Sequence, residues 1–352
     1  MKVYIHGGFH KTGSTFIQNS LRSQKNKKEI FIDIESISEV CFSDSYFNKL
    51  LLRIEKAKSQ GFSKYIISNE RIFGTYLNGY DDIESRSKKF SECLLEIIPT
   101  SDINLLLFVR RQDEFIESSY IQEVHQGSRI VFDEYYEARK KLFDWGEVIL
   151  RIDPKLKENI FVIDYTEEKY CKNDIIDDVS AFFDCSVYLE KQEFNNVSYG
   201  QLAFDIAFQL IDQVDNRWLR SVLQANLNKN VTDKISLLSE AHLAELKVIY
   251  KESNLALASK YEFTDSFLNI PSTSENKEHY SKKDVAKLAS TLVFKIEQQQ
   301  KTIVNKNREL ERINCKIEAL KKENLVIGKN IAVLKKYSLI YRIASKLKKL
   351  IK

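Results

Sequence analysis

The stretch His6-Gly-Gly-Phe-His-Lys-Thr-Gly-Ser-Thr15 follows an apolar run, Val3–His6, and leads into a helical pattern that begins at Ser14. A strand, a glycine-rich turn and a helix start in this order present backbone N–H groups and the positive end of a helix dipole to an anion. The sequence therefore predicts a phosphate-binding loop after the first strand. A glycine-rich turn alone can also be purely structural, so the neighbouring segments decide between the two interpretations.

The first 190 residues alternate short β-rich runs with amphipathic stretches. This alternation predicts an α/β fold, with a parallel sheet flanked by helices. Ligands of such sheets bind beyond the carboxyl ends of the strands, so we expect functional residues directly after each strand. The predicted strands are Val3–His6, Ile30–Ile34, Tyr65–Ser68, Asn104–Val109 and Ile160–Asp164. The predicted helices are Ser14–Ser23, Tyr46–Gln60, Arg86–Ile98, Asp113–Val124 and Asp133–Leu150.

The loop departs from the G-x-x-x-x-G-K-[ST] pattern of nucleotide triphosphatases, because Lys11 precedes Gly13 instead of following it. A second motif lies after the predicted strand Asn104–Val109, where Arg110 is followed eight residues later by Ser118. The end of a strand can direct a guanidinium at a phosphate, and a hydroxyl two helical turns further on adds a donor on the same side.

Both motifs resemble those of the sulfotransferases that use 3′-phosphoadenosine 5′-phosphosulfate (PAPS), the loop being close to bacterial members. The resemblance implies that the loop binds the 5′-phosphosulfate, that Arg110 and Ser118 bind the 3′-phosphate, and that Lys11 stabilises the bridging oxygen. It implies a P-loop-like sulfotransferase fold and no metal; we interpret Asp164, at a strand end, as structural. The donor-binding residues would be Lys11, Thr12, Gly13, Ser14, Thr15, Arg110 and Ser118.

The resemblance extends to about Phe263 but becomes weaker along the chain. Asn196-Val-Ser198, Glu252-Ser-Asn254 and Lys260-Tyr261 are similar to late segments of bacterial sulfotransferase domains. No counterpart is found of the Arg-Lys-Gly segment that completes the donor site of cytosolic aryl and steroid members. That absence argues against the small-molecule branch of the family.

Three residues are candidates for the general base that activates the acceptor. Glu70 follows the predicted strand Tyr65–Ser68 and precedes a basic residue, and it resembles the glutamate base of glycan sulfotransferases. His10 within the loop and His125 after the predicted helix Asp113–Val124 are the histidine alternatives, as in the small-molecule branch. We favour Glu70, whereas His6 is interpreted as packing beside the first strand and Arg111 as an ion-pair partner of Glu114.

The second part of the chain is helical and then changes character. We predict a catalytic domain at 1–264 that ends in a helical subdomain, a linker at 265–285, a coiled coil at 286–334 and a basic amphipathic tail at 335–352. Apolar residues at steps of seven, with Asn324 within the series, are typical of a coiled coil, so we expect a homodimer. The tail has seven Lys/Arg and no acidic residue, which is compatible with peripheral contact with an anionic membrane.

Composition sets further limits. The 67 residues from Ala286 carry a net charge of +12, and the whole chain +4, which leaves −8 for the first 285 residues and argues against nucleic acid as a partner. Five cysteines without a CxxC pair favour free thiols in a cytoplasmic protein. No apolar run is long enough for a signal peptide or membrane span.

From these features we expect a PAPS-dependent sulfotransferase acting on a hydroxyl of a cell-surface glycan or its lipid-linked precursor. The expected location is the cytoplasm, at the inner face of the membrane if the tail binds there. Four aromatic residues are candidates for stacking on a sugar, although buried packing is the alternative for most: Tyr120, Tyr135, Tyr136 and Trp145. The alternatives for function are a P-loop kinase or triphosphatase with an atypical loop, and a coiled-coil scaffold with an inactive nucleotide-binding domain.

Overall fold

The computed structural model describes residues 1–23, 29–34, 44–166, 174–184, 201–210, 219, 235–272 and 282–350. The chain divides into two compact units, Met1–Tyr280 and Ser281–Lys352. The first unit contains a five-stranded sheet, and the second consists of one long helix. The predicted segment Asn196-Val-Ser198 lies outside the described residues.

The sheet of the first unit is parallel throughout, with strand order β2-β3-β1-β4-β5. The central strands are almost continuously apolar and buried, as strands covered on both faces should be. The five predicted strands are confirmed to within a residue or two at each end. They are β1 Lys2–His6, β2 Ile30–Asp33, β3 Lys64–Ser68, β4 Ile103–Arg110 and β5 Ile160–Tyr165.

Helices flank this sheet and supply its covering layers. On one face, Tyr4, Ile66 and Phe108 of three neighbouring strands pack against a cluster from the first helix and from the helix that follows β5. The helices are α1 Ser14–Ser23, α2 Asp44–Ser59, α3 Ile83–Leu95, α4 Gln112–His125, α5 Phe132–Arg139, α6 Trp145–Leu150, α7 Asp174–Phe183, α8 Gln201–Leu210, α9 Glu240–Lys260 and α10 Asp265–Leu268.

The single helix predicted at Asp133–Leu150 is wrong, because the chain forms α5 and α6 with a break between them. The Tyr250 hydroxyl donates to the Lys140 carbonyl at 2.7 Å and accepts from the Phe143 amide at 3.2 Å. Asp144 then caps the second helix by accepting from the Glu147 amide at 3.1 Å. A tyrosine more than a hundred residues away in sequence therefore provides bonds that a continuous helix would have made internally.

The chain after α9 returns to the sheet. Asp164 at the end of β5 is fully buried and accepts hydrogen bonds from the Thr264 amide, at 3.0 Å, and from the Thr264 hydroxyl. Phe267 and Ile270 are buried as well, so the first residues of the segment predicted as a linker pack within the first unit. These contacts support the structural interpretation of Asp164.

The second unit is the helix α11, Lys282–Leu350, of 69 residues. It confirms the predicted long C-terminal helix, while the coiled-coil pairing stays a prediction. Cys315 on this helix is a free, exposed thiol, and Cys93 in α3 is free and buried. Within the part of the chain that the structure describes, no helix has the length and apolarity needed to cross a membrane.

Replacing Asp164 by alanine should destabilise the first unit without removing a ligand-binding group. We expect Asp164→Ala to lower the free energy of unfolding by about 1–3 kcal/mol, because the half-buried Thr264 donors lose their acceptor. Urea denaturation measures this, and Glu262→Ala, an exposed neighbour of the same segment, serves as the control. Equal stability of the two variants would contradict the structural role.

Candidate active site

The carboxyl ends of β1, β3 and β4 lie side by side at one edge of the sheet. His6 is aligned with Ser68 of β3 and with Leu106 of β4. The Asn69 amide donates to the His6 carbonyl at 3.0 Å, and the Gly7 amide donates to the Leu106 carbonyl at 3.2 Å. The chain order reverses at this point of the sheet, which is where doubly wound folds bind their ligands.

The loop after β1 has two residues in the left-handed region of backbone conformation. Gly13 has φ of 77°, and a Cβ there would stand 2.7 Å from the Tyr165 ring, so only glycine fits. Lys11 has φ of 64° although it is not glycine, and its carbonyl accepts from Arg110 Nη1 at 3.2 Å. Unfavourable backbone conformations that the surrounding structure enforces are concentrated at functional sites.

The start of α1 has a buried hydroxyl that no described residue uses. The Gly13 carbonyl accepts from the amides of Phe16 and Ile17, so the helix begins directly after the turn. The Ser14 hydroxyl is buried and has no hydrogen-bond partner among the residues that the structure describes. Thr15 is exposed, whereas the Thr12 hydroxyl donates to the Phe9 carbonyl and stabilises the loop itself. A buried hydroxyl without a partner at a helix start is the arrangement expected of an anion site.

Glu70 lies at the same edge, in the electric field of Lys11 and Arg71. Burial raises the pKa of the Glu70 carboxyl above its usual value, and the positive charges of Arg71 and Lys11 offset part of this rise. None of the described residues donates a hydrogen bond to this carboxylate. The Lys11 ammonium lies 3.5 Å from the Gln122 amide oxygen of α4. The structure thus brings the predicted base and the predicted lysine close to each other.

The two histidine candidates differ in their surroundings. His10 is buried, and its backbone amide donates to the Tyr80 hydroxyl at 3.0 Å while its ring contacts the same hydroxyl at 3.3 Å. Burial and the charges of Arg71 and Lys11 lower the pKa of His10 to about 3. His125 is the last residue of α4, one turn beyond Gln122. A ring with so low a pKa is a weak proton acceptor, which makes His10 the poorer candidate base.

Arg110 reaches from the end of β4 to the loop. Its guanidinium donates to Glu114 at 3.1 Å and to the Lys11 carbonyl at 3.2 Å, and it lies over the Tyr165 ring at 5.6 Å. Its other terminal nitrogen has no partner among the described residues. Ser118 is half-buried on α4, and no described residue pairs with its hydroxyl.

Arg111 has a different environment from that of Arg110. It forms an ion pair with Glu114 at 3.0 Å, which confirms the predicted pairing, and another with Asp113 at 2.6 Å. It also donates to the Ser266 carbonyl at 2.7 Å. The adjacent arginine is therefore committed to structure.

The aromatic residues considered for sugar stacking are buried instead: Tyr120, Tyr135, Tyr136 and Trp145 expose 2% or less. Trp145 stacks on Phe9 of the loop, with ring centres 4.9 Å apart and planes at 15°. Its indole N–H donates to the Arg110 carbonyl at 2.7 Å. Trp145 thus supports both the loop and the strand end. Asn254 is structural too, paired with Gln112 by two amide hydrogen bonds of 2.8 and 3.0 Å.

Sequence reasoning missed Tyr76, in the turn Tyr76–Asn78 after β3. Its hydroxyl is buried without a partner among the described residues, and its ring centre lies 5.3 Å from that of His10. Burial raises the pKa of the Tyr76 hydroxyl. The negative charges of Glu123 and Glu70 raise this pKa further, whereas the positive charge of Arg139 lowers it. No motif marks this residue in the sequence. The unused hydroxyl makes Tyr76 a candidate ligand-binding residue beside Glu70.

His6 was interpreted as packing, but one of its nitrogens is unused. Nδ1 lies 2.8 Å from the Ser68 hydroxyl, whereas Nε2 is buried without a partner among the described residues and lies under Gly8. Burial lowers the pKa of His6 to about 4. The neutral ring therefore forms part of the floor of the loop. The described residues contain no group of three or more His, Cys, Asp or Glu side chains that could hold a metal ion.

Comparison with known proteins gives little beyond this geometry. No family model matches the sequence, and no curated protein matches it. Among solved structures, the crystal structure of a sulfotransferase from Alicyclobacillus acidocaldarius is similar, with 13% identity and a TM-score of 0.43 over 75% of this chain and 96% of that one.

The two buried histidines should make the fold sensitive to mild acid. Their pKa values in the fold, about 4 for His6 and about 3 for His10, lie below the ordinary 6.5, so the stability they contribute is complete above pH 6.5 and is lost as the pH falls towards 4. We expect the free energy of unfolding to fall by roughly 2–4 kcal/mol between pH 7 and pH 5 from these two groups.

Urea denaturation of the native chain and of His6→Gln at several pH values separates this effect from the titration of carboxylates. Below pH 6.5, the free energy of unfolding should fall less steeply with pH in the variant, which loses about half of the histidine contribution to that slope. Between pH 7 and pH 8, the free energies of the native chain and the variant should change in parallel. Parallel curves over the whole range would show that His6 does not contribute.

Proposed function

We propose that this chain is a sulfotransferase that uses PAPS as donor and transfers the sulfuryl group to an acceptor hydroxyl. The observation that carries the proposal is the convergence of three groups at one sheet edge. These are a loop with a buried hydroxyl that no described residue uses, a carboxyl group with raised pKa beside Lys11, and an arginine at the end of β4. A nucleotide that bears phosphate at two positions is complementary to this arrangement.

The donor would lie across the carboxyl ends of β1 and β4. The amides and hydroxyls of Gly13, Ser14 and Thr15, with the helix dipole of α1, are suited to the 5′-phosphosulfate. Arg110 and Ser118 are suited to the 3′-phosphate, because each keeps donors that no described residue uses. Binding there would exchange part of the Arg110–Glu114 contact for phosphate.

The transfer would be an in-line displacement at sulfur. The acceptor oxygen forms a bond to sulfur while the bond between sulfur and the bridging oxygen of the 5′-phosphate breaks. The acceptor proton passes to Glu70, and the leaving group is 3′-phosphoadenosine 5′-phosphate. The Lys11 ammonium stabilises the negative charge that develops on the bridging oxygen. A carboxyl group with raised pKa is a stronger base than an ordinary glutamate, which suits Glu70 to this role.

For the acceptor we propose a hydroxyl of a glycan or of its lipid-linked precursor. Tyr76 places an unused hydroxyl beside Glu70, and the Glu123–Arg139 ion pair at 3.0 Å adds polar groups near it. Such surroundings are suited to a polyhydroxylated acceptor better than to an apolar one. Residues 335–352, with their seven basic residues, would keep the enzyme near an anionic membrane that carries the precursor.

Donor binding can be measured without knowing the acceptor. We expect 3′-phosphoadenosine 5′-phosphate to raise the melting temperature of the chain, since a ligand that binds only the folded state stabilises it. ATP with magnesium should not do so. Arg110→Gln should weaken binding of the bisphosphate but leave binding of adenosine 5′-phosphosulfate, which lacks the 3′-phosphate, nearly unchanged.

The other outcomes identify the alternatives. Stabilisation by ATP with magnesium alone would point to a kinase or triphosphatase. No response to any of the three nucleotides would favour a scaffold with an inactive domain.

Kinetic measurements with labelled donor and the glycolipid fraction of the source cells should test the roles of Glu70 and Lys11. Glu70→Gln should lower the transfer rate by about 10²–10⁴-fold with little change in bisphosphate binding. Lys11→Ala should lower the rate by about 10²-fold or more. In the native enzyme the rate should decline on the acidic side at a pH above the usual glutamate value, because the Glu70 pKa is raised.

Glu92→Gln, an exposed carboxylate on α3, is the matched control and should leave the rate unchanged. Full activity of Glu70→Gln would exclude Glu70 as the base and move the assignment to a histidine.

A further inference from the structure

One side of α11 carries a regular series of exposed apolar residues. Within 294–336, every residue whose exposure is described is exposed. At steps of seven, the a positions are Ile296, Ile303, Leu310, Ile317, Asn324 and Ile331. The d positions are Gln299, Lys306, Ile313, Leu320, Ile327 and Leu334. The apolar members of this seam are 42% to 67% exposed, which is typical of a surface that another helix covers.

A parallel pair of these helices would bring like charges together. In that arrangement each d residue faces its own copy, so Lys306 would meet Lys306 at the centre of the interface. At the flanking positions, Lys316 (g) of each copy would lie opposite Lys321 (e) of the other, which gives two such contacts by symmetry. Both contacts are repulsive, and neither has an acidic residue on the seam to compensate for it.

We propose that the seam binds a second copy of this chain in antiparallel orientation, with the two-fold axis between Glu311 and Arg312. In an antiparallel pair each a residue faces a d residue of the other copy. Ile296 then meets Ile327, Ile303 meets Leu320, and Leu310 meets Ile313. The two uncharged polar members of the seam, Asn324 and Gln299, also face each other.

The flanking charges support the same alignment. With the axis between Glu311 and Arg312, Glu309 of each copy lies opposite Lys316 of the other, which gives two pairs of opposite charge. Lys306 lies opposite Ile317, where its long side chain can extend past the apolar residue to water. No pair of like charges remains along the seam.

Other antiparallel registers are less complementary. In one of them, the axis is moved so that each residue meets a partner seven positions further on. Lys316 then lies opposite Lys316 of the other copy, and Glu309 lies opposite Glu323. A shift of fourteen positions removes the charge conflict but places Asn324 against Ile313, so an amide is buried without a polar partner. The sequence of the seam thus selects one register.

This proposal rests on α11 alone and is independent of the proposed activity. It predicts that the first residues of the two helices are far apart. Lys282 of one copy would lie level with Tyr341 of the other, a separation of about 90 Å along the axis at 1.5 Å per residue. A parallel pair would place the two helix starts together.

Disulfide mapping on the full chain tests the orientation. A mixture of the variants Ile303→Cys and Leu320→Cys should form a disulfide between positions 303 and 320 under mild oxidation, identified by peptide mass spectrometry. Each variant alone should not cross-link at the new cysteine, because identical positions would be 17 residues, or about 25 Å, apart. The native chain, with Cys315 at the outward-facing f position, is the control.

Two results would overturn the proposal. Disulfides between identical positions, 303 to 303 or 320 to 320, would establish a parallel pair. A native chain that sediments as a monomer at tens of micromolar concentration would show that the seam has another occupant.

A charge exchange tests the register. Glu309→Lys should raise the dimer dissociation constant by about tenfold, since two attractive pairs become repulsive. The double variant Glu309→Lys with Lys316→Glu should restore the native value, because the pairs are rebuilt with exchanged signs. Glu311→Lys, the same charge change at an outward-facing b position, should leave dissociation nearly unchanged. A double variant that is as weak as Glu309→Lys would exclude this register.

Discussion

Trp145 is the contact on which the geometry of the site depends. Its ring covers Phe9 of the loop, its N–H holds the carbonyl of Arg110, and its edge meets the Phe115 ring of α4 at 4.9 Å. Loss of a fully buried aromatic of this size costs about 3–5 kcal/mol in other proteins. The relative position of the loop and the strand end is therefore set by this apolar packing, by the Trp145 hydrogen bond and by the hydrogen bond from Arg110 to the Lys11 carbonyl.

The break in the helical pattern at Lys140–Asp144 makes this contact possible. The Tyr250 hydroxyl of α9 bonds to the backbone on both sides of this break. Asp144 caps α6, and Trp145 is the first residue of that helix. At this edge of the sheet, three buried polar atoms have no hydrogen-bond partner among the described residues: the Ser14 and Tyr76 hydroxyls and His6 Nε2. Each such atom costs about 1–3 kcal/mol when it is buried without a partner. If a donor binds at this sheet edge as we propose, its polar groups would supply the missing partners.

Much of the first unit could be predicted from the sequence, because short apolar runs such as Leu105–Val109 alternate with amphipathic stretches, a pattern typical of buried parallel strands between helices. The loop and the Arg110–Ser118 spacing could be recognised in the sequence because each depends on residues that are close together in the chain. The helix break and the roles of Trp145 and Tyr76 were not visible, since they depend on contacts across a hundred residues or on a turn without a motif. His6 follows an apolar strand, so the sequence predicted only that its ring packs there. The three-dimensional structure shows that its Nε2 has no partner among the described residues.

The position of Trp145 also has an optical consequence. The chain has two tryptophans, and the other, Trp218, lies outside the described residues. An indole that is fully buried, stacked on the loop and bonded to the Arg110 backbone will change its emission when a bound ligand moves either support. In a Trp218→Phe background, the chain would carry a single tryptophan, at the junction of the loop and the end of β4. Occupancy of the site could then be followed by fluorescence, with no label and no knowledge of the acceptor.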